Sequence, residues 1–89
     1  MNHELSIERA SSIFSSAFAP LRCVAEPWDY DNRFRFRVFD GNEPLLSADD
    51  MLRQQVTDSR RLEAAIAHAR SNLEERGYAL EPWSFPSAG

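Results

Sequence analysis

The stretch Arg33-Phe34-Arg35-Phe36-Arg37-Val38-Phe39-Asp40-Gly41-Asn42 decides the fold. Aromatic or β-branched residues alternate with arginine, and the run stops at a turn signal. In a strand, successive side chains point to opposite faces. Phe34, Phe36 and Val38 therefore share one face, while Arg33, Arg35, Arg37 and Phe39 share the other. The first face needs a core and the second, mostly, needs water. A half-exposed antiparallel sheet meets both demands.

Toward the N-terminus, Asp29-Tyr30-Asp31-Asn32 is a turn by composition. Residues 21–28 read as a first strand, with Leu21, Cys23 and Ala25 on one face and Arg22, Val24, Glu26 and Trp28 on the other. Pro27 cannot donate to a ladder, so this strand ends there or lies at an edge. Residues 6–18 read as a helix. Ile7, Ala10, Phe14, Ala17 and Phe18 fall at helical spacing, with Ile13 at the margin of the stripe. Ser6 is placed to cap it, and Pro20 ends it.

Toward the C-terminus, Asp40-Gly41-Asn42 turns the chain into a short third strand over residues 43–47, weakened by Pro44. Residues 48–57 allow two readings. One is a helical turn capped by Ser47, with Asp49 and Asp50 at its positive end. The other is a loop with an extended piece over residues 54–56. Residues 59–76 are the most secure helix: Leu62, Ile66, Ala69 and Leu73 form its stripe, Asp58 caps it and Gly77 stops it. The resulting class is α+β, in the order αβββα: a helix, a three-stranded antiparallel meander, then one or two helices on one sheet face. Residues 1–77 make the single domain. Residues 78–89 form an aromatic and proline-rich tail, in which Tyr78, Leu80 and Trp83 are expected to pack onto the sheet or onto a partner. The core should comprise Ile7, Phe14, Phe18, Leu21, Cys23, Phe34, Phe36, Val38, Leu62, Ile66 and Leu73.

At 89 residues the chain is one domain. A chain of this size buries roughly 60–65% of its unfolded surface, so its stability margin is thin. The apolar share of 43% argues against disorder in its body. A net charge of −4, with every basic residue an arginine, makes a poor counter-charge for nucleic acid or an anionic membrane. No segment approaches the ~20 apolar residues of a membrane span, and the first eight residues do not resemble a secretory signal, so a cytoplasmic protein is expected.

The catalytic inventory is thin. Cys23 is the one cysteine, and His3 and His68 are the two histidines. Nothing in the spacing orients either histidine against Cys23 or a serine, as a general base requires. Cys23 reads as a small apolar residue rather than a nucleophile, because Arg22 points to the other face of its strand. A zinc site needs about four close Cys or His ligands. Asp29, Asp31 and Asn32 suggest the start of a calcium loop, but its glycine and glutamate places hold Phe34 and Asp40. The glycines Gly41, Gly77 and Gly89 are scattered, so no phosphate loop is read. No enzyme, metal or cofactor is expected.

Two surfaces remain. Arg33, Arg35 and Arg37 make a basic stripe beside Phe39, and Arg60 and Arg61 open the last helix. Nucleic acid is the partner such residues would suit. The competing and stronger reading is a solvated face with arginines paired to Glu26, Glu43 or other acids across the strands. Trp28, Tyr30, Phe39, Trp83 and Phe85 are more than so small a fold readily buries, which points to a protein partner or a homodimer, or else to a monomer whose tail folds over its own sheet. An echo between Glu26-Pro27-Trp28 and Glu81-Pro82-Trp83 is either chance or a pair of matched aromatic clamps.

The arginine-rich strand resembles the aromatic strand of RNA-recognition domains, but arginine replaces the small residues between the aromatics. The αβββα order resembles double-stranded-RNA-binding domains, although these carry a lysine cluster where Arg60 and Arg61 stand here. Phe18-Ala19-Pro20-Leu21-Arg22-Cys23, then Val38-Phe39-Asp40, then Ser59-Arg60-Arg61-Leu62, look like a family of small bacterial proteins classed as a domain of unknown function. That likeness spans roughly residues 7–76 and departs at residues 49–56 and in the tail. It implies a stand-alone bacterial protein and supplies no catalytic residue. The expected function is a small non-catalytic binding or regulatory module.

Overall fold

The computed structural model describes residues 4–86. In chain order they form α1 (Ile7–Ser16), β1 (Arg22–Trp28), β2 (Arg33–Asp40), β3 (Glu43–Leu52), α2 (Arg53–Thr57) and α3 (Ser59–Glu75). The strands make one antiparallel meander in the order β1-β2-β3, with the arginine-rich strand at its centre. The fold is α+β in the order expected, and two helices follow the sheet.

Phe34, Phe36 and Val38 are buried on one sheet face with Ile7, Phe14 and Phe18 of the first helical region and Leu62, Ile66 and Leu73 of α3. Phe14 is the hub. Its ring centroid lies 4.3 Å from Phe36, 5.7 Å from Phe34 and 5.8 Å from Phe18. Burying each such side chain contributes about 1.5–3 kcal/mol. Ile13, expected at the margin of the stripe, is buried as well, as are Leu45 and Val56. Leu21 and Cys23 are only half-buried, because β1 is an edge strand and α1 covers it incompletely.

The helix ends follow local chemistry. The Ser6 hydroxyl accepts from the Arg9 N–H, and Asp58 Oδ1 accepts from the N–H groups of Arg60 and Arg61. Gly77 takes φ +97°, the left-handed angle common just past a helix. Helix α1 stops at Ser16 rather than at residue 18, because the chain must turn through Phe18 and Leu21 to enter β1.

The third strand differs most from expectation. It runs to Leu52 instead of stopping at residue 47, so Ser47 is mid-strand and caps nothing. Residues 53–57 are helical, which also removes the extended piece foreseen at residues 54–56. The pairing between β2 and β3 shifts register between Phe34 and Phe36 and again between Val38 and Phe39. Each shift places an extra residue in β3 and interrupts the inside-outside alternation. Pro44 is tolerated because β3 is an edge strand.

The tail folds back. Tyr78, Leu80, Trp83 and Phe85 pack against the core, and the Glu81 N–H donates to the Ala19 carbonyl at 2.8 Å. Arg70 of α3 donates to the carbonyls of Ala17 (2.6 Å) and Glu81 (2.9 Å), tying the tail to the end of α1.

Candidate functional site

Among the described residues no helix covers the second sheet face. Register places four cross-strand rows on it. Arg22 stands opposite Phe39, Val24 opposite Arg37, Glu26 opposite Arg35 and Trp28 opposite Arg33. On the β3 side, Ser47 pairs with Arg37 and Leu52 with Arg33. The bulge between these pairs sets two consecutive acids, Asp49 and Asp50, beside the arginine stripe.

All three arginines of the stripe are therefore partnered. Arg35 Nε and Nη2 lie 2.9 and 2.7 Å from Glu26 Oε1. Arg33 Nη1 lies 3.3 Å from Asp50 Oδ1, and Arg37 Nη2 lies 3.8 Å from Asp49 Oδ1. Glu26 is a partner named from the sequence, and Asp49 and Asp50 are among the other acids across the strands that the sequence allows. These pairs are solvent-exposed, so each is worth only about 0–1 kcal/mol. Their larger effect is to neutralise the stripe. Arg22 differs: its guanidinium lies 4.4 Å above the Phe39 ring, and among the described residues no carboxylate pairs with it.

The aromatic candidates do not form one patch. Trp28 and Phe39 stand at opposite ends of the face, six rows of residues apart in register, or roughly 20 Å at the usual rise. Trp28 is 37% exposed, and its indole Nε1 donates to the Asp49 carbonyl at 2.8 Å. Tyr30 is 95% exposed at the tip of the β1–β2 turn. There Asp29, Tyr30 and Asp31 all adopt left-handed angles, with φ of 56°, 55° and 67°. Trp83 and Phe85 lie in the tail, in an edge-to-face contact at 6.2 Å. The echoed segments each meet an arginine, Arg35 at 6.0 Å from the Trp28 ring and Arg70 at 6.0 Å from the Trp83 ring, but they belong to separate surfaces.

Arg60 and Arg61 are exposed at the start of α3, which packs on the buried side of the sheet, so they do not share a surface with Arg33, Arg35 and Arg37. Cys23 is half-buried, and burial pushes its thiol up to about 12, which keeps it protonated near neutral pH. His68 stands at the rim of an apolar groove of about 290 Å³ between β3 and α3, floored by Phe36, Leu46, Ala48, Met51 and Ala69. His3 lies outside the described residues, as do residues 87–89 of the tail. Among the described residues no three His, Cys, Asp or Glu side chains cluster as a metal site, and no helix is long and apolar enough to cross a membrane.

Sequence reasoning missed the Arg22–Phe39 stack. The signal existed: a four-residue turn over residues 29–32 sets Trp28 opposite Arg33 and hence Arg22 opposite Phe39. Compared with protein-family models, curated proteins and solved structures, the chain shows no significant match.

Proposed function

We propose that this chain is a small non-catalytic binding module that acts through contact with another protein chain, a second copy included, on its uncovered sheet face. One observation carries the reading. Val24, Trp28 and Leu52 are 41%, 37% and 41% exposed on that face, while the charges between them are paired within the sheet. Exposed apolar side chains set among charges that already pair with one another suit contact with a protein better than with a polyanion.

Nucleic-acid binding through Arg33, Arg35 and Arg37 is the competing proposal. Phosphate contact relies on free cationic groups. Here each guanidinium already holds a carboxylate, and the chain as a whole is acidic at −4. Protein contact is the better supported of the two.

Retention of protein from an extract of the source cell by the immobilised full chain, compared with Val24→Asp, tests the reading. Sedimentation velocity over a micromolar range tests self-association. Retention or dimerisation that Val24→Asp abolishes supports it. Salt-sensitive binding of mixed RNA at low ionic strength, with no protein retained, would favour the competing proposal.

A further inference from the structure

The uncovered face is not uniform, and its Arg22 end carries a more specific chemistry. We infer that the cleft between β1 and β2 at Arg22 and Arg37 receives a glutamate- or aspartate-bearing segment of the partner protein. This inference rests on the protein-contact reading and names the partner's chemistry.

The cleft has a volume of about 200 Å³ and is lined by Arg22, Val24, Glu26, Arg35, Arg37 and Phe39, with Phe36 contributing from below. Its one carboxylate, Glu26, is already held by Arg35 at 2.7 Å. Arg22 has no acidic partner among the described residues, and its guanidinium carbon lies 4.4 Å from the centroid of the Phe39 ring. A guanidinium held over a ring face and bound to no carboxylate can offer its N–H donors to a planar acceptor such as an incoming carboxylate. Arg37 has the longest ion pair on the face, 3.8 Å to an exposed Asp49, and an incoming carboxylate can compete for it. Register sets Arg22 beside Phe39 and Arg37 beside Val24 in adjacent rows, so the two cations are diagonal neighbours, with Cα atoms roughly 7–8 Å apart. One carboxylate can be approached from both sides. Val24 and Phe39 offer apolar contact to the residue next to it.

The same geometry disfavours a polyanion. Glu26, Asp49 and Asp50 occupy the neighbouring rows, so a second or third phosphate would meet carboxylates instead of cations. A short segment with one or two carboxylates and apolar neighbours fits both the cation pair and its acidic surroundings.

The test is NMR of the arginine Nε–Hε groups of the full chain, titrated with the blocked peptide acetyl-Ser-Phe-Glu-Leu-Ser-amide. The controls are the same peptide with glutamine in place of glutamate, an oligothymidylate, and inorganic phosphate. Saturable shifts of Arg22, Arg37 and the Val24 methyls by the glutamate peptide are expected. The glutamine peptide and the Arg22→Gln variant should each bind about tenfold more weakly, the size of one lost charged hydrogen bond. Arg33→Gln, at the far end of the face, should bind as wild type does. Equal binding of both peptides, tighter binding of oligothymidylate or phosphate, or shifts confined to other residues would overturn the inference. Retention of a protein by the wild-type chain that survives Arg22→Gln but not Val24→Asp would overturn this cleft assignment alone and leave the wider reading standing.

Discussion

The indole Nε1 of Trp28 on β1 donates to the backbone carbonyl of Asp49 on β3, 2.8 Å away, reaching across β2. The bulge makes this bond available. Where the register shifts between Phe34 and Phe36, the β2–β3 ladder is interrupted near Asp49. The Trp28 ring thus braces all three strands on the side no helix covers. Trp28→Phe keeps most of the ring and loses the donor. Urea denaturation should show a loss of about 1 kcal/mol, the usual worth of one such hydrogen bond. An unchanged midpoint would mean that the bond contributes nothing to stability.

Arg70 links three parts of the chain by donating to Ala17 and Glu81 and lying 6.0 Å from the Trp83 ring. Arg70→Ala removes two hydrogen bonds from a charged donor and should cost about 2–3 kcal/mol. Trp83 emission should shift to the red as the tail loosens. Arg70→Lys should recover only part of the loss, because one ammonium lacks the planar fork that meets two carbonyls. Full recovery with lysine would show that charge alone holds the tail.

Tyr30 combines 95% exposure with a left-handed φ of 55°. An exposed ring returns little burial energy, while the backbone angle suits glycine. Tyr30→Gly should therefore leave stability unchanged or raise it by up to about 1 kcal/mol, despite removing an aromatic residue. A weaker hold on the partner in the same variant would assign Tyr30 to the contact. A fall in thermal midpoint would show that the ring supports the fold.

Burial raises the Cys23 thiol from an ordinary value of 9.0 to about 12. Above pH 9 the unfolded chain loses this proton while the folded chain keeps it. The unfolded state then binds fewer protons, so stability falls as pH rises from about 9 to 12, with a slope of at most about 1.4 kcal/mol per pH unit. Cys23→Ala should flatten that part of the stability profile relative to wild type. Parallel profiles would remove Cys23 as the cause. The native thiol should also react slowly with alkylating reagents at pH 8.

The central strand was legible because its alternation has the period of the pleat over all of β2 (Arg33–Asp40). The ends of α3 were legible for a different reason: Asp58 and Gly77 each have one chemical use at a helix terminus. The third strand was not legible. Its bulges put Leu45 beside Leu46 and Asp49 beside Asp50, which breaks the two-residue period, and an acidic doublet also suits the start of a helix. At five residues, α2 is too short to show a helical period. The pairing of the arginines was legible in kind, through Glu26. Its partners Asp49 and Asp50 were not, since they depend on the bulge. The hydrogen bond from Trp28 to Asp49 spans a sequence separation of 21 and has no local signature.

The most direct measurement compares what the immobilised full chain and its Val24→Asp variant retain from nuclease-treated extract, with melting temperatures matched and sedimentation recorded for both. The wild-type chain is expected to hold a defined protein or to pair with itself, and one carboxylate at Val24 to abolish either contact without unfolding the chain. Identical retention by both chains, or a wild-type chain that stays monomeric and holds only nucleic acid before nuclease treatment, would contradict that expectation.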